Sequence, residues 1–485
     1  MNSQQGNESN EFYIQKKQEL LDFKQTIRGK RVAVLGIGIS NTPLIRVLSQ
    51  WGADISAFDR SEPEALCVTL GQLKELDIQY CLGKDYLTQL HGFDYIFKTP
   101  VIRHDIPQLL EEQSHGAIIT SEMAVFLAYC PARVFAVTGS DGKTTTTTLI
   151  HRMLTAQGYR CLLGGNIGTP LLDRIDEIGP DDRIAVELSS FQLQTMTCKP
   201  AVSLITNITP NHLDVHKSYE EYIEAKMNVF RHQPPDSLCV LNYDCEITRR
   251  FSDQVKGDLA FFSLTHNLRH TDCRVAAYLE GDRLILRCED RLTDVMDIHD
   301  ILLPGRHNID NYLAAACAAA LDTNPGVIAE TAKTFPGVEH RIEAVRELDG
   351  VTYYNDSIAS SPNRTIACLN SFSQRIILLA GGKDKNLDYS ALGSQLAKHV
   401  KLLLLCGQNA PNIKASLAEY LAANPTVSPI PVYEFDDYGA LVHAAKNKAV
   451  PGDIVVLSPA GTSFDRFRNF EERGSVFKSL VHDLI

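Results

Sequence analysis

Short apolar runs recur along this chain, and longer stretches with helical spacing lie between them. The first group is Arg31-Val-Ala-Val-Leu-Gly36, Asp54-Ile-Ser-Ala-Phe-Asp59, Asp94-Tyr-Ile-Phe-Lys-Thr-Pro100 and Ala117-Ile-Ile-Thr-Ser121. Runs of this length bounded by turn residues predict buried strands, and helical stretches between them predict parallel sheets. A second group comprises 134–137, 183–187 and 201–207; a third comprises 351–354, 376–380, 401–406 and 453–457. Between about 238 and 303 the strands shorten to 238–241, 259–262 and 283–287, with Gly281-Asp282 as a hairpin turn. The first 28 residues begin polar and then carry Phe12, Ile14, Leu20, Leu21 and Phe23 at spacings too irregular for a strand, which predicts a mostly surface helix. Glu122 opens a connecting helix and Pro131 marks the next boundary. The expected divisions are a helical extension over 1–28 and domains over 29–127, 128–336 and 337–485. A length of 485 residues agrees with three domains at roughly 150 residues each.

Composition narrows what such domains do. Apolar residues make up 44% and charged residues 22% of the chain, enough for large cores. The net charge of −12 argues against non-specific nucleic-acid binding but leaves room for a local basic pocket. Twelve cysteines are scattered without a Cys-x-x-Cys pair, which argues against a zinc site and for reduced thiols in a cytosol. No signal peptide fits the start of the chain, and no run approaches about 18 apolar residues. The expectation is a cytoplasmic protein without a membrane span.

Candidate chemistry gathers where apolar runs end. After Val137 come Gly139, Ser140, Asp141, Gly142, Lys143, Thr144 and Thr145, then an apolar helical pattern. Glycines let the backbone approach an anion, and amide N–H groups at a helix start point at it. Lys143 would reach the β- and γ-phosphates of a nucleotide, and the Thr144 hydroxyl would ligate Mg²⁺. The full phosphate-loop motif asks for a first glycine at the position of Val137, so this is a shorter form. A plain glycine turn before a threonine-rich helix is the alternative.

Glu187 ends an apolar strand, where α/β sheets place ligands, and the Mg²⁺ implied by Thr144 is the partner a buried carboxylate would need. An exposed strand-end acid is the other reading. His212 follows Asn207-Ile-Thr-Pro-Asn211 on the same sheet edge; a satisfied structural histidine is its alternative. Lys226 lies between Ala225 and Met227 on a helix expected to face inward, and a buried lysine is costly unless paired or chemically altered.

The turn Gly36-Ile-Gly38-Ile-Ser40-Asn41, with Asp59 closing the next strand 23 residues after Gly36, is nearly a dinucleotide fingerprint, but Asn41 replaces its third glycine. It reads either as a nucleotide-binding turn or as a tight turn. Asn308 and Asn311 share a helix face and either bind a base or cap the helix. In the last third, Asn355-Asp356-Ser357, Gly381-Gly382-Lys383-Asp384-Lys385 and Ser458-Pro-Ala-Gly-Thr-Ser463-Phe-Asp465 end strands with groups suited to carboxylate or phosphate recognition; Lys383 also fits a solvated loop.

Taken together, several stretches resemble the Mur ligase family. They are Gly139-Ser-Asp-Gly-Lys-Thr-Thr, Glu187-Leu-Ser-Ser-Phe-Gln-Leu, Asn207-Ile-Thr-Pro-Asn-His-Leu-Asp, Tyr222-x₃-Lys226, His307-Asn308-x₂-Asn311, His340-Arg341-x-Glu343, Asp356-Ser357 and Ser458-Pro-Ala-Gly-Thr-Ser-Phe-Asp, spanning roughly 30 to 480 in family order. The second and last are most similar to the branch that adds D-glutamate to UDP-N-acetylmuramoyl-L-alanine, and the Asp-Asn-Pro-Arg-type motif of the diaminopimelate- or lysine-adding branch is absent.

The resemblance implies an ATP-dependent amide ligase of α/β class: an N-terminal Rossmann-like domain, a central P-loop ATPase-type domain with a small β subregion, and a C-terminal Rossmann-like domain. It implies that the 139–145 loop binds ATP with Asn311, Arg341 and Asp356. Thr144 and Glu187 would hold one Mg²⁺, and His212 with a carbamylated Lys226 a second; Lys143, His212 and Lys226 would be catalytic. Gly38, Ser40, Asp59 and Arg60 would take the UDP group, Asn166 and Ser189 the muramoyl-alanine part, and Lys385, Ser463 and Phe470 the D-glutamate. The implied working unit is a monomer.

Two positions depart from the family pattern, Asn211 where an aspartate is usual and Ile358 where a lysine is frequent. Three other classes remain: a folylpolyglutamate-type ligase, a nucleotide-binding regulatory module on the same scaffold, and an NAD-dependent dehydrogenase resting only on Gly36-x-Gly38.

Overall fold

The computed structural model describes residues 2–38, 41–210, 216–303, 305–384 and 387–485, with the backbone alone for 2–9. The first sheet contains β1 (Arg31–Leu35), β2 (Asp54–Asp59), β3 (Ile78–Leu82), β4 (Tyr95–Lys98) and β5 (Ile118–Thr120), in the order β3-β2-β1-β4-β5. All its pairs are parallel. The chain winds from β1 outward to β3 and then returns to β4 on the other side of β1. The strand order therefore reverses between β1 and β4, whose last residues, Leu35 and Lys98, are register partners.

The second sheet has nine strands: β6 (Arg133–Thr138), β7 (Cys161–Gly165), β8 (Arg183–Glu187), β9 (Val202–Ile205), β10 (Leu238–Asn242), β11 (Asp258–Ser263), β12 (Val275–Glu280), β13 (Arg283–Cys288) and β14 (Arg291–Asp297). Their order is β14-β13-β12-β11-β10-β9-β6-β8-β7. Pairing is parallel from β7 to β12 and antiparallel from β12 to β14, with Gly281 at φ +59 in the β12–β13 turn. The third sheet contains β15 (Glu343–Leu348), β16 (Val351–Asn355), β17 (Ile376–Ala380), β18 (Val400–Leu405), β19 (Val432–Glu434) and β20 (Ile454–Leu457), in the order β15-β16-β20-β17-β18-β19. Only its β15–β16 pair is antiparallel. The expected α/β class with parallel sheets is what the chain adopts.

The chain forms two compact units, 1–300 with 309–333, and 301–308 with 334–485. The first unit holds the first two sheets around one continuous apolar core. Val32, Val34 and Phe97 from the first sheet share it with Val134, Ala136, Val186 and Ile205 from the second. Polar ties reinforce the seam. Lys24 meets Asp176 at 2.7 Å, and Glu122 accepts from the Leu171 and Leu172 amides at 3.0 and 2.8 Å. Arg103 meets Glu221 at 3.0 Å.

The helix Asn2–Ile27 docks through buried Leu20 and Ile27, while Phe23 packs against Trp51, Tyr95 and Tyr129. Phe12, Ile14 and Leu21 stay exposed, so this helix lies at the surface as expected. In the second unit, period-two alternation separates two cores on opposite faces of the third sheet. Leu378, Leu403, Leu405 and Val456 face one; Leu379, Leu402, Leu404 and Val455 face the other. No helix among the described residues is long and apolar enough to cross a membrane.

Candidate functional site

β6 is buried along its length after Arg133 and runs into a loop that only glycine permits at two points. Gly139 has φ +145, and a Cβ there would fall 1.8 Å from Thr206 Oγ1. Gly142 has φ +77, and its Cβ would fall 2.2 Å from Asn311 Oδ1. The loop thus sits tightly against the end of β9 on one side and Asn311 on the other. Side-chain and backbone bonds fix the rest. The Ser140 amide donates to the Asn207 carbonyl at 2.9 Å, and the Asp141 amide to Asn207 Oδ1 at 2.9 Å. The Ser140 hydroxyl lies 2.8 Å from the Tyr222 hydroxyl. Gly142 caps the helix Lys143–Gln157. Lys143 Nζ donates to the Ser140 carbonyl at 2.8 Å, which folds the ammonium over its own loop. Thr144 and Thr145 are both buried.

Glu187, at the end of β8, is buried and its carboxylate is shared. Oε2 accepts from the Thr144 hydroxyl at 2.7 Å, and Oε1 from Asn166 Nδ2 at 2.7 Å. Lys226, 1% exposed on the helix Tyr219–Met227, donates from Nζ to the Gly139 carbonyl at 2.6 Å and stands 4.6 Å from the Tyr222 ring centroid. Burial first, and then the Lys143 ammonium, hold this amine well below the usual lysine range, against the pull of Asp141 and Glu187. The 139–143 loop, Thr144, Glu187 and Lys226 therefore come together at the carboxyl ends of β6, β8 and β9.

The helix bearing Lys226 is braced from beneath. His216 stacks on Phe191 at 5.2 Å, sits 3.0 Å from the Ser190 hydroxyl and stands edge-on to Tyr222. Glu221 accepts from Arg103, from Gln194 and from the Lys217 amide. Among the described residues no three His, Cys, Asp or Glu side chains are placed to hold a metal ion by themselves. His212, Ser40 and Lys385 lie outside the described residues, as does Asn211.

Several expected ligand contacts are engaged with the protein itself. Ser189 caps a short helix in a reciprocal box with Gln192, a role the Ser-x-x-Gln spacing signals. Asn166 orients Glu187. Asp59 accepts from the Ile37 and Ser61 amides, each at 2.8 Å, and so ties down the Gly36 turn. Arg60 is exposed. Gly38 lines a cleft of about 630 Å³ with Thr42, Arg46, Thr69, Gln72 and Asp173.

In the second unit Asp356 is buried and accepts from the Ser458 hydroxyl at 2.7 Å. Burial pushes its carboxyl up to about 6, opposed by that hydroxyl and more weakly by the Arg341 charge. Ser463 is buried. Phe470 starts the helix Phe470–His482, and its carbonyl accepts from the Ser357 hydroxyl at 2.8 Å.

Sequence reasoning missed Arg473. This guanidinium is fully buried and donates to the Ser357 hydroxyl (3.0 Å), the Ser357 carbonyl (2.7 Å) and the Gly461 carbonyl (3.1 Å). It also lies 2.9 Å from where a Cβ on Gly382 would be. One side chain thus links the loops after β16, β17 and β20. The available signal was its place on the inward stripe with Gly474, Phe477 and Val481.

Asp310, one residue before Asn311, was also missed. Its Oδ1 is buried without a hydrogen-bond partner among the described residues, and Asn242 Nδ2 stands 3.5 Å from Oδ2. Burial, and then Asp244, raise its carboxyl from the ordinary 3.8 to about 7. A raised acid pKa destabilises the fold as pH climbs from the unfolded value to the folded one, by up to roughly 4 kcal/mol here. Asp310→Asn is therefore expected to stabilise the protein at pH 8 and to leave it unchanged below about pH 4, as read by urea unfolding at both values.

Residues 137–319 match the family described as Mur ligase middle domain, and 340–461 that described as Mur ligase, glutamate ligase domain. A protein of Acetivibrio thermocellus named UDP-N-acetylmuramoylalanine--D-glutamate ligase is 52% identical over 466 residues, covering 96% of this chain and 99% of its own. A protein of the same name from Ruminiclostridium cellulolyticum is 49% identical with the same coverage. Among solved structures, UDP-N-acetylmuramate-alanine ligase MurC from Thermotoga maritima covers 93% of this chain and 99% of its own at 17% identity and a TM-score of 0.56, a likeness of fold.

Proposed function

Because the chain belongs to the Mur ligase family, we propose that it joins D-glutamate to UDP-N-acetylmuramoyl-L-alanine with hydrolysis of ATP, a step of peptidoglycan precursor synthesis. The observation that carries this reading is the convergence of Lys143, Thr144, Glu187 and Lys226 on one loop. In this reading residues 29–127 take the uridine nucleotide, 128–336 take ATP, and 337–485 take the amino acid, after the 1–28 extension, and the enzyme works in the cytoplasm.

A carboxylate resists attack by an amine. Transfer of the γ-phosphoryl group of ATP to a carboxylate oxygen, with ADP leaving, gives an acyl phosphate. The D-glutamate amine then attacks the carbonyl carbon, and the tetrahedral intermediate expels phosphate and loses a proton. The chain's own groups mainly position and neutralise. The Ser140 and Asp141 amides are given to Asn207, so the amides at the helix start, from Gly142 to Thr144, would cradle phosphate oxygens, and Lys143 would exchange its bond to the Ser140 carbonyl for the transferring group.

Thr144 and Glu187, one hydroxyl and one carboxylate, suit Mg²⁺, which is commonly held by few protein oxygens together with substrate phosphates. Such an ion would supply Lewis-acid neutralisation of the phosphoryl oxygens. Lys226 fits carbamylation: burial and the Lys143 charge favour its unprotonated amine, which is nucleophilic, and with CO₂ it gives a carbamate and a proton. That adduct would offer oxygen donors beside Gly139, with His212 as its partner for a second Mg²⁺.

Asn311, against Gly142, would serve the ATP loop; Arg341 and Asp356 are proposed as nucleotide contacts and Ser463, Phe470 and Lys385 as D-glutamate contacts, with Arg473 holding the loops after β16, β17 and β20. The test is phosphate release by the full chain with ATP, UDP-N-acetylmuramoyl-L-alanine and a panel of amino acids. Release that needs D-glutamate supports the reading. Release with L-glutamate and a folate acceptor, or no ATP turnover, overturns it.

A further inference from the structure

Lys98 closes β4 and is 6% exposed. Strand alternation puts it on the same face as Ile96, which packs with Ala33, Leu35 and Phe58, so its stem enters an apolar layer. Its register partner is Leu35, the last residue of β1. Just beyond, the chain turns at Gly36 with φ +87, where a Cβ would meet Thr99 Cγ2 at 2.8 Å. Lys98 thus stands at the carboxyl edge where β1 and β4 part, the point of strand-order reversal at which open α/β sheets bind ligands.

Its Nζ donates to the Ile102 carbonyl at 3.0 Å, beneath a turn closed by the Ile102 amide on the Thr99 carbonyl. One of its three donors is used among the described residues. Among the described residues no carboxylate forms an ion pair with it, and burial lowers its pKa to about 8. An ammonium buried without a counter-charge costs several kcal/mol, and a methionine would fill the same apolar space without that cost.

A cation held at this cost, at the crevice end of the sheet and beside a glycine turn, calls for an anion supplied from outside the chain. We propose that Lys98 provides the counter-charge for the diphosphate of a uridine nucleotide bound over the Gly36 turn. This rests on the reading that the first sheet takes the UDP group, and it adds a specificity residue absent from the sites expected on sequence.

The test uses the full chain, UDP as probe and titration calorimetry, with melting temperature read alongside. Lys98→Met is expected to weaken UDP binding about tenfold or more while raising the melting temperature. Lys98→Gln, which keeps a donor but not the charge, is expected to lose the same affinity. Unchanged UDP affinity in Lys98→Met, with the parent protein binding UDP, overturns the role of Lys98 alone. No UDP binding by the parent protein overturns the first-sheet reading and this proposal with it. Lost affinity with a lowered melting temperature in Lys98→Met, and retained affinity in Lys98→Gln, would make Lys98 a prop for the 99–102 turn and overturns it as well.

Discussion

Replacing Lys226 by alanine is expected to cut D-glutamate-dependent phosphate release by about a thousandfold or more, equivalent to roughly 4 kcal/mol in the barrier. The reason lies in where the amine sits. It is enclosed, it donates to the Gly139 carbonyl, and its neighbours include the Lys143 ammonium. An unmodified cation there would repel Lys143, whereas a carbamate would balance it and add oxygen donors. Acetate or formate diffusing into the cavity left by the substitution is therefore expected to restore part of the rate. The melting temperature should stay level or rise, because a buried amine is removed. A variant turning over at the parental rate without additive would end the carbamate reading, and stability measured in parallel separates that result from simple unfolding.

Gly139→Ala is expected to cost about 2–4 kcal/mol of stability and to abolish ATP binding, by combining backbone strain with overpacking. The added methyl would collide with Thr206 at its hydroxyl and lie 3.1 Å from its amide nitrogen. Thr206 cannot retreat, because its amide donates to the Thr138 carbonyl and its hydroxyl to the Asp141 carbonyl. Gly281→Ala is the matched control. It has positive φ as well, but nothing lies within 4 Å, so a loss near ~1 kcal/mol and unaltered ATP binding are expected. Equal losses at the two positions in urea unfolding would show that the contact with Thr206 carries no weight.

The interior of the fold was legible because central parallel strands are buried on both faces and read as unbroken apolar runs. β1, β4, β6, β8, β17 and β20 are of this kind. The strands that went unread were mainly edges: β3 in the first sheet, β7 and β14 in the second, β15 and β19 in the third. Their residues are half wetted, as in Ile78-Gln-Tyr-Cys-Leu82 and Arg291-Leu-Thr-Asp-Val-Met-Asp297, so hydrophobicity alone does not separate them from loops.

The candidate site divides in the same way. Lys143, Thr144 and Glu187 follow from strand ends and from the chemistry of phosphate and Mg²⁺. The partners that hold them, Asn166 on Glu187 and Asn311 on Gly142, come from strands and helices distant in sequence and are fixed only by packing. Arg473 is the instructive failure. An arginine on the inward stripe of a helix usually reads as a surface residue, yet here neutral acceptors from separate loops satisfy it.

The shared core of the first two sheets has a practical corollary for dissection. A truncated product ending near Tyr129 would carry Val32, Val34 and Phe97 into water without the neighbours they lean on, and would sever Lys24 from Asp176 and Glu122 from its two amides. Such a piece should aggregate on expression. Excision after about residue 333 leaves that seam whole, which makes it the sensible cut for isotope labelling or fragment screening.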